Sequence, residues 1–164
     1  MVFLHPDIEE EYKRWKTLAG PDDPYRSSDT MGLHDVLAAH FLIIDYFAEK
    51  KYGVGGVGPR NVNLLHSAPS RQFTGYGGAR KWTSLYETCA TLMFGLIMNH
   101  LFHDANKRTA LLATLSLLHR NRQIINLQQN KLDAIVIAIA ANQLQTYFGK
   151  EKRYLRKLQL LRSE

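Results

Sequence analysis

The stretch His100-Leu-Phe-His-Asp-Ala-Asn-Lys-Arg-Thr-Ala110 decides how the rest of this chain is interpreted. It lies between two apolar runs, residues 85–98 and 111–118, whose side chains recur at helical spacing. A turn between two helices needs only a few small or polar residues, whereas this one holds two histidines, a carboxylate, an amide and two cations. We therefore predict that the turn carries chemistry and that a helix begins at its end.

The residues of the turn suit the transfer of a phosphate-containing group. The first N–H groups of a helix have no partner within it and lie at its positive dipole end, so they can hold an anion. Ala105 is small enough for a ligand to approach the backbone, while Lys107 and Arg108 supply charged donors for phosphate. Asp104 carries the hard oxygens that Mg²⁺ prefers. His100 can accept a proton from an attacking hydroxyl, because histidine is the side chain that most often serves as a general base.

At these residues the sequence resembles the Fic/Doc family. In the family signature a histidine, a phenylalanine, an acidic residue, a small residue, an asparagine and an arginine recur at this spacing, and here they are His100, Phe102, Asp104, Ala105, Asn106 and Arg108. Lys107 followed by Arg108-Thr-Ala is similar to the Doc ("death on curing") branch of toxins. The AMP-transferring Fic branch usually has glycine in place of Lys107 and a second arginine in place of Leu111.

The resemblance implies an all-α Fic fold, a helical bundle with a short β-hairpin flap. It implies that ATP and Mg²⁺ are the cofactors and that the γ-phosphate of ATP moves to a Ser/Thr hydroxyl of a protein, elongation factor Tu for Doc-like toxins, which inhibits translation. The catalytic residues would be His100, Asp104 and Arg108, with Asp104 the magnesium ligand. The nucleotide phosphates would lie against Ala105, Asn106, Lys107 and Arg108. A cognate antitoxin would be the second partner.

The resemblance extends beyond the signature. The stretches His34-Asp-Val-Leu-Ala-Ala-His40, Pro59-Arg60 and Asn63-Leu-Leu65 are similar to the upstream helix and turn of Doc-like proteins. We judge it to cover about residues 31–160. The chain is accordingly divided into an N-terminal accessory helix and loop, residues 1–30, and a Fic/Doc domain, residues 31–164.

Periodicity predicts the elements around the turn. Helices are expected over residues 6–18, 33–51, 61–68, 85–99, 106–120, 131–147 and 150–161. The first should have an apolar stripe of Ile8, Tyr12, Trp15 and Leu18. Residues 69–82 are expected to form the hairpin flap by the resemblance; the alternative is an irregular loop.

Capping and glycine patterns refine these elements. Thr83 or Ser84 with Glu87 makes a capping box. Candidate caps for the second helix are residues 27–29 and, at its start, His34-Asp35. His40 lies on an apolar helix face and is interpreted as a buried, hydrogen-bonded histidine. The glycine run over residues 53–58 formally matches the dinucleotide-binding pattern, but it follows a helix and precedes Pro59. We interpret it as a helix stop and a turn that needs positive φ.

Composition points to a globular, cytoplasmic protein. The 164 residues are 45% hydrophobic, enough for one domain with a core, and carry a formal charge of +6. We expect no signal peptide and no membrane contact. The single cysteine, Cys89, makes no internal disulfide. The basic surface suits an acidic partner such as an antitoxin segment, and nucleic-acid binding is not expected.

Three other functions remain open. A Fic-type AMP transferase would use the same site. A metal phosphohydrolase of the HD type would use His103-Asp104, with His34-Asp35 or His66 as further ligands. A catalytically inactive module would only bind a partner. Label from the α or the γ position of ATP separates AMP transfer from phosphate transfer, and no transfer favours the inactive module. A bound transition metal ligated by His103 and Asp104 would favour the phosphohydrolase.

Overall fold

The computed structural model describes residues 2–48 and 55–123, together with Ala134, Val136, Ile137 and Ala140. Within these residues the chain forms α1 (Pro6–Ala19), α2 (Leu33–Phe47), α3 (Val62–Ser70), α4 (Leu85–Met98) and α5 (Asn106–Arg120). A 3₁₀ turn, Arg71–Phe73, and an antiparallel hairpin of β1 (Gly75–Tyr76) and β2 (Ala79–Arg80) separate α3 from α4. The predicted all-α bundle with a short hairpin is confirmed.

The core forms where α5 packs against both α4 and α2. The largest side chains that are fully buried there come from all three helices and from the turn between α4 and α5: Leu37, Phe41, Leu92, Leu96, Leu101, Phe102 and Leu117. α4 begins as its sequence predicts, because Ser84 accepts a hydrogen bond from Glu87 N and Glu87 reaches back to the Ser84 N–H. The two helices that flank the turn are thus held by the centre of the bundle.

Most predicted helices are present with nearly the predicted bounds. One predicted helix ends earlier than expected. α2 ends at Phe47, whereas the pattern predicted residue 51; Ala48 lies in a turn. The helix predicted over 131–147 is described at only four residues, all helical, and the helix predicted over 150–161 lies outside the described residues.

The start of α2 is capped by two carboxylates. Asp35, which the sequence predicted, accepts a hydrogen bond from Gly32 N at 3.2 Å, whereas Asp23 was not predicted. The Asp23 carboxylate accepts hydrogen bonds from Leu33 N and His34 N, both at 3.0 Å. The expectation that residues 27–29 cap this helix was wrong, because the loop folds back and brings Asp23 to the helix start. Gly32 makes this approach possible, since a Cβ there would lie 2.1 Å from Asp23 Oδ2.

The N-terminal segment packs on the rest of the chain. α1 lies against α2, and Ile8 is buried in the common core. Asp45 of α2 accepts hydrogen bonds from Leu4 N at 2.8 Å and His5 N at 3.0 Å. The predicted apolar stripe ends earlier than expected, because Leu18 is 54% exposed. The domain boundary near residue 30 stays a prediction.

The hairpin projects from the bundle. Gly77 and Gly78 have φ of +59° and +81°, as a two-residue hairpin turn requires. Tyr76 is almost fully exposed, while the Arg80 guanidinium lies 4.7 Å from the Phe73 ring centre. The hairpin is therefore fixed at its base and exposed at its tip. No helix of the described residues has the length and apolar character needed to cross a membrane.

Candidate active site

The turn between α4 and α5 has an unusual backbone. His100 and Ala105, which bracket it, have φ of +45° and +59°, a region that residues with a Cβ rarely adopt. Strained conformations of this kind persist where the surrounding structure holds them, and they concentrate at functional sites. The sequence carried no signal for the conformation of His100.

Asn106 closes the turn. Its side-chain Oδ1 accepts a hydrogen bond from Phe102 N, and its Nδ2 donates to Phe102 O, both at 2.9 Å. The amide that was expected to contact phosphate is therefore bonded to the turn itself. Asn106 can therefore contact a phosphate through its backbone N–H, which lies at the first position of α5, rather than through its side chain.

His40 supports the turn from below. Its ring stacks on Phe102 with centres 3.7 Å apart and an angle of 5°. Nε2 accepts a hydrogen bond from Gly58 N at 3.1 Å, so Nδ1 carries the proton and donates to Thr109 Oγ1 at 3.2 Å. Burial lowers the pKa of His40 to about 3, and this effect exceeds the opposing attraction of Asp104. His40 is a neutral core histidine, as the sequence predicted.

The segment that follows the glycine run pairs with the turn like a short strand. Pro59 forms an antiparallel bridge with Phe102. Arg60 N donates to Leu101 O at 3.0 Å, and His103 N donates to Gly58 O at 3.2 Å. Gly58 has φ of +82°, which confirms the expected turn with positive φ. These bonds fix the turn to a part of the chain that lies about 40 residues upstream in sequence.

Asp104 is held as an anion beside the start of α5. Its Oδ2 accepts a hydrogen bond from Gly55 N at 2.9 Å, its Oδ1 accepts one from Ala105 N at 2.5 Å, and Arg108 lies 3.9 Å away. The hydrogen bond from Gly55 N–H has the largest effect on the pKa of Asp104 and lowers it. Burial raises this pKa, whereas the Ala105 N–H and the charge of Arg108 lower it further. Asp104 is therefore ionised at neutral pH.

Arg108 is oriented by two neighbours. Its guanidinium carbon lies 4.6 Å from the ring centre of Phe47, at the end of α2, and one of its terminal nitrogens approaches Asp104. An arginine stacked on an aromatic ring keeps its in-plane donors available for a ligand. Its orientation therefore depends on α2 as well as on its own helix.

A cavity of about 410 Å³ joins these groups. All six site residues that the sequence predicted line it. The described residues that line the cavity are Arg60, Ile97, His100, His103, Asp104, Ala105, Asn106, Lys107, Arg108 and Ala140. His100 and Lys107 are exposed there. Arg60 was not predicted as a site residue, and His103 was predicted only as a metal ligand of the phosphohydrolase alternative. His103 fills a variable position of the signature, and Arg60 is brought in only by the pairing of two distant segments.

The N–H groups at the start of α5 face no protein cap. Ala105 precedes the helix in a left-handed conformation, and within residues 55–123 no side chain bonds to the first N–H groups of the helix. The N–H groups of residues 106–108 have no partner within the helix, because the first intrahelical bond is that of Thr109 N to Ala105 O. Lys107 and Arg108 add positive charge at this point.

The Asp104 carboxylate suits a magnesium ion that is also bound by substrate phosphates and water, rather than a metal held by protein ligands alone. Mg²⁺ is usually bound by one or two carboxylates together with substrate phosphates and water. Asp104 supplies one ionised, partly exposed carboxylate at the cavity. Among the described residues no three His, Cys, Asp or Glu side chains are grouped so as to hold a metal together.

Two of the three further ligands that a phosphohydrolase would need, Asp35 and His66, are engaged elsewhere. Asp35 pairs with Arg120 at 3.2 Å, and the His66 ring is hydrogen-bonded to the Tyr25 hydroxyl. Neither residue lines the cavity. The geometry does not favour this alternative.

The helical bundle exposes a cationic helix start, a carboxylate and a histidine in one cavity, an arrangement that suits the binding of an anion. The model of the Fic/DOC family matches residues 30–118, which is more than half of the chain. The chain belongs to the Fic/DOC family, and membership implies transferase activity. No curated protein and no solved structure matches the chain.

Proposed function

We propose that this protein is a Doc-like phosphotransferase, which moves the γ-phosphate of ATP to a Ser or Thr hydroxyl of a protein. One observation carries the proposal: a single cavity collects His100, Asp104, Lys107 and Arg108 at a helix start whose N–H groups are not capped by any described side chain. Phosphoryl transfer depends mainly on positioning and on stabilisation of charge, and these residues supply both.

Each residue has a defined part in the reaction. The backbone N–H groups of residues 106–108 and the side chains of Lys107 and Arg108 would bind the phosphate chain. Mg²⁺, held by Asp104, would neutralise charge on the phosphate oxygens. His100 would take the proton of the target hydroxyl as its oxygen bonds to the γ-phosphorus. The bond from that phosphorus to the β–γ bridging oxygen breaks, and ADP leaves.

Lys107 and Leu111 favour phosphate over AMP transfer. In the branch that transfers AMP, glycine usually stands at the first of these positions and an arginine at the second. Lys107 is exposed at the cavity and adds a cation where that glycine would leave space. AMP transfer is the second candidate. The same base and the same phosphate-binding residues would serve if the target hydroxyl attacked the α-phosphorus and pyrophosphate left.

One assay separates the candidates. The protein is incubated with a bacterial lysate and ATP labelled at either the α or the γ position. We expect protein-bound label from the γ position alone. Label from the α position alone would establish AMP transfer, and no label from either would favour an inactive binding module.

The base is tested in the same assay. His100→Ala should reduce transfer by about a thousandfold or more, since the general base is lost. His119→Ala, at an exposed site in the last turn of α5, is the matched control and should transfer normally. Equal activity of the two variants would remove His100 from this role.

The partners are proposed on the same basis. An extended segment of the target protein, elongation factor Tu by resemblance, would add as a strand to the exposed hairpin of β1 and β2, whose Tyr76 is free of protein contact over 95% of its surface. An antitoxin would neutralise the protein. Growth arrest on expression, relieved by a protein encoded beside the gene, is the expected outcome; unimpaired growth would contradict the toxin role.

A further inference from the structure

We propose that Arg60 is a further residue that binds the phosphate chain of the nucleotide. Arg60 lies outside the signature turn, yet it lines the same cavity as Lys107 and Arg108. The inference rests on the proposed function, because it assigns another binding residue to the same site.

Arg60 is fixed to the turn at two points. Its backbone N–H donates to Leu101 O at 3.0 Å, and its side-chain Nε donates to Phe102 O at 3.3 Å. A guanidinium held through Nε has its two terminal nitrogens left as donors, and they lie in a fixed plane. Much of the entropy that a long side chain loses on binding a ligand is therefore already lost in the folded protein.

The charge of Arg60 is not balanced nearby. The positive charge of Arg108 is partly compensated within the protein, because a carboxylate lies 3.9 Å away and an aromatic ring lies beneath the guanidinium. In the described part of the chain Arg60 has neither a salt bridge nor a ring contact, and its side chain is exposed. A fixed and uncompensated guanidinium in a cavity attracts an anion, and a planar pair of donors matches phosphate.

The pairing of the two segments explains the position of Arg60. Residues 58–60 lie beside residues 101–103 through the Pro59–Phe102 bridge, so any movement of the turn moves Arg60 with it. A phosphate chain bound at the start of α5 would thus meet cations from two separate segments. Lys107 and Arg108 come from the helix, and Arg60 comes from the paired segment.

Nucleotide affinity tests this assignment on the full chain. Dissociation constants are measured for ATP, adenosine and inorganic tripolyphosphate with the wild type, Arg60→Gln and Arg60→Lys. Arg122→Gln is the control for net charge, because Arg122 is exposed and does not line the cavity. Thermal unfolding of each variant shows whether the turn is still folded.

A binding role changes the affinity only for ligands that carry phosphate. We expect Arg60→Gln to weaken ATP and tripolyphosphate about tenfold, the size of one charge-assisted contact, and to leave adenosine unchanged. Arg60→Lys keeps the charge but loses the planar donors, so an intermediate loss of about threefold is expected. Arg122→Gln should change ATP affinity by less than about twofold.

The outcomes separate this inference from the proposed function. Wild-type affinity for ATP in Arg60→Gln would overturn the role of Arg60 and leave the proposed function standing. Equal losses for ATP and adenosine would show a structural role and would also overturn it. The wild type could bind tripolyphosphate but not ATP, with Arg60→Gln weakening the binding of tripolyphosphate. That result would support the anion site and overturn the use of ATP. Binding of neither would overturn both.

Discussion

The two helices of the central pair begin in opposite ways. α4 begins with a cap made of its own neighbours, since Ser84 and Glu87 satisfy the first N–H groups and Thr83 also donates to Glu87. α5 begins with Ala105 in a left-handed conformation and without a side-chain cap in the described residues. The first start stabilises a helix; the second leaves donors directed at a cavity.

The difference also concerns what holds each start in place. The bonds at α4 lie within residues 83–88. The turn before α5 is held by His40, Gly58 and Arg60, which lie at least 40 residues earlier in the chain. A helix start that leaves its N–H groups for a ligand needs support from elsewhere, and here tertiary contacts supply it. Disturbing the distant contacts should therefore impair the site, whereas disturbing the local cap should affect stability alone.

The largest effect is expected from Gly58→Ala. Gly58 has φ of +82°, and a Cβ there would lie 2.5 Å from Trp15 Nε1. The strain and the clash should lower the free energy of unfolding by about 3 kcal/mol and should also reduce transfer, because Gly58 bonds both His40 and His103. Denaturant unfolding and the label assay measure the two effects.

A control separates strain from the clash with α1. Gly77→Ala, at φ of +59° with open space around it, should cost only about 1 kcal/mol. In the double variant Gly58→Ala/Trp15→Leu the smaller side chain should restore part of the stability. Additive effects of the two substitutions would show that the clash with Trp15 does not contribute to the loss of stability in Gly58→Ala.

The second prediction concerns pH. The pKa of His40 is about 3 in the folded protein against 6.5 for a free histidine, so the unfolded chain binds more protons between these values. Stability due to this group is therefore complete above pH 6.5 and is lost as the pH falls. From pH 7 to pH 5 the loss should be about 2 kcal/mol.

Two measurements check the role of His40. His40→Gln should remove this part of the pH dependence, whereas His119→Gln, at an exposed site, should keep it. NMR titration should show a His40 ring that stays neutral down to pH 5. A ring that protonates near pH 6 would contradict the burial of His40 beneath Phe102.

The smallest effect is expected at the local cap. Ser84→Ala removes the acceptor of the Glu87 N–H and should lower the free energy of unfolding by about 1 kcal/mol. ATP affinity and transfer should stay at the wild-type values. Ser28→Ala, at an exposed site, is the control and should be neutral. A loss of ATP affinity in Ser84→Ala would show that the two helix starts are coupled.

Residues close in sequence were predictable, and residues that meet through folding were not. The bounds of α5 and the capping box of α4 follow from local patterns. The contribution of Asp23 to the cap of α2 was missed because Asp23 lies ten residues before the N–H group that it binds. Arg60 was missed as a site residue for the same reason, since neither spacing nor charge in the sequence connects it with residues 101–103.

The sequence by itself determined the family, the helical class and the short segment that carries histidine, carboxylate and cations, because these depend on residues within a few turns of one another. Only the tertiary structure decided the positive φ of His100, the stacking of His40 on Phe102 and the entry of Arg60 into the cavity. The physical reason is that a strained turn with a ligand-facing helix start is not stable through local interactions. Contacts between segments that are distant in sequence must hold it, and these exist only in the folded chain.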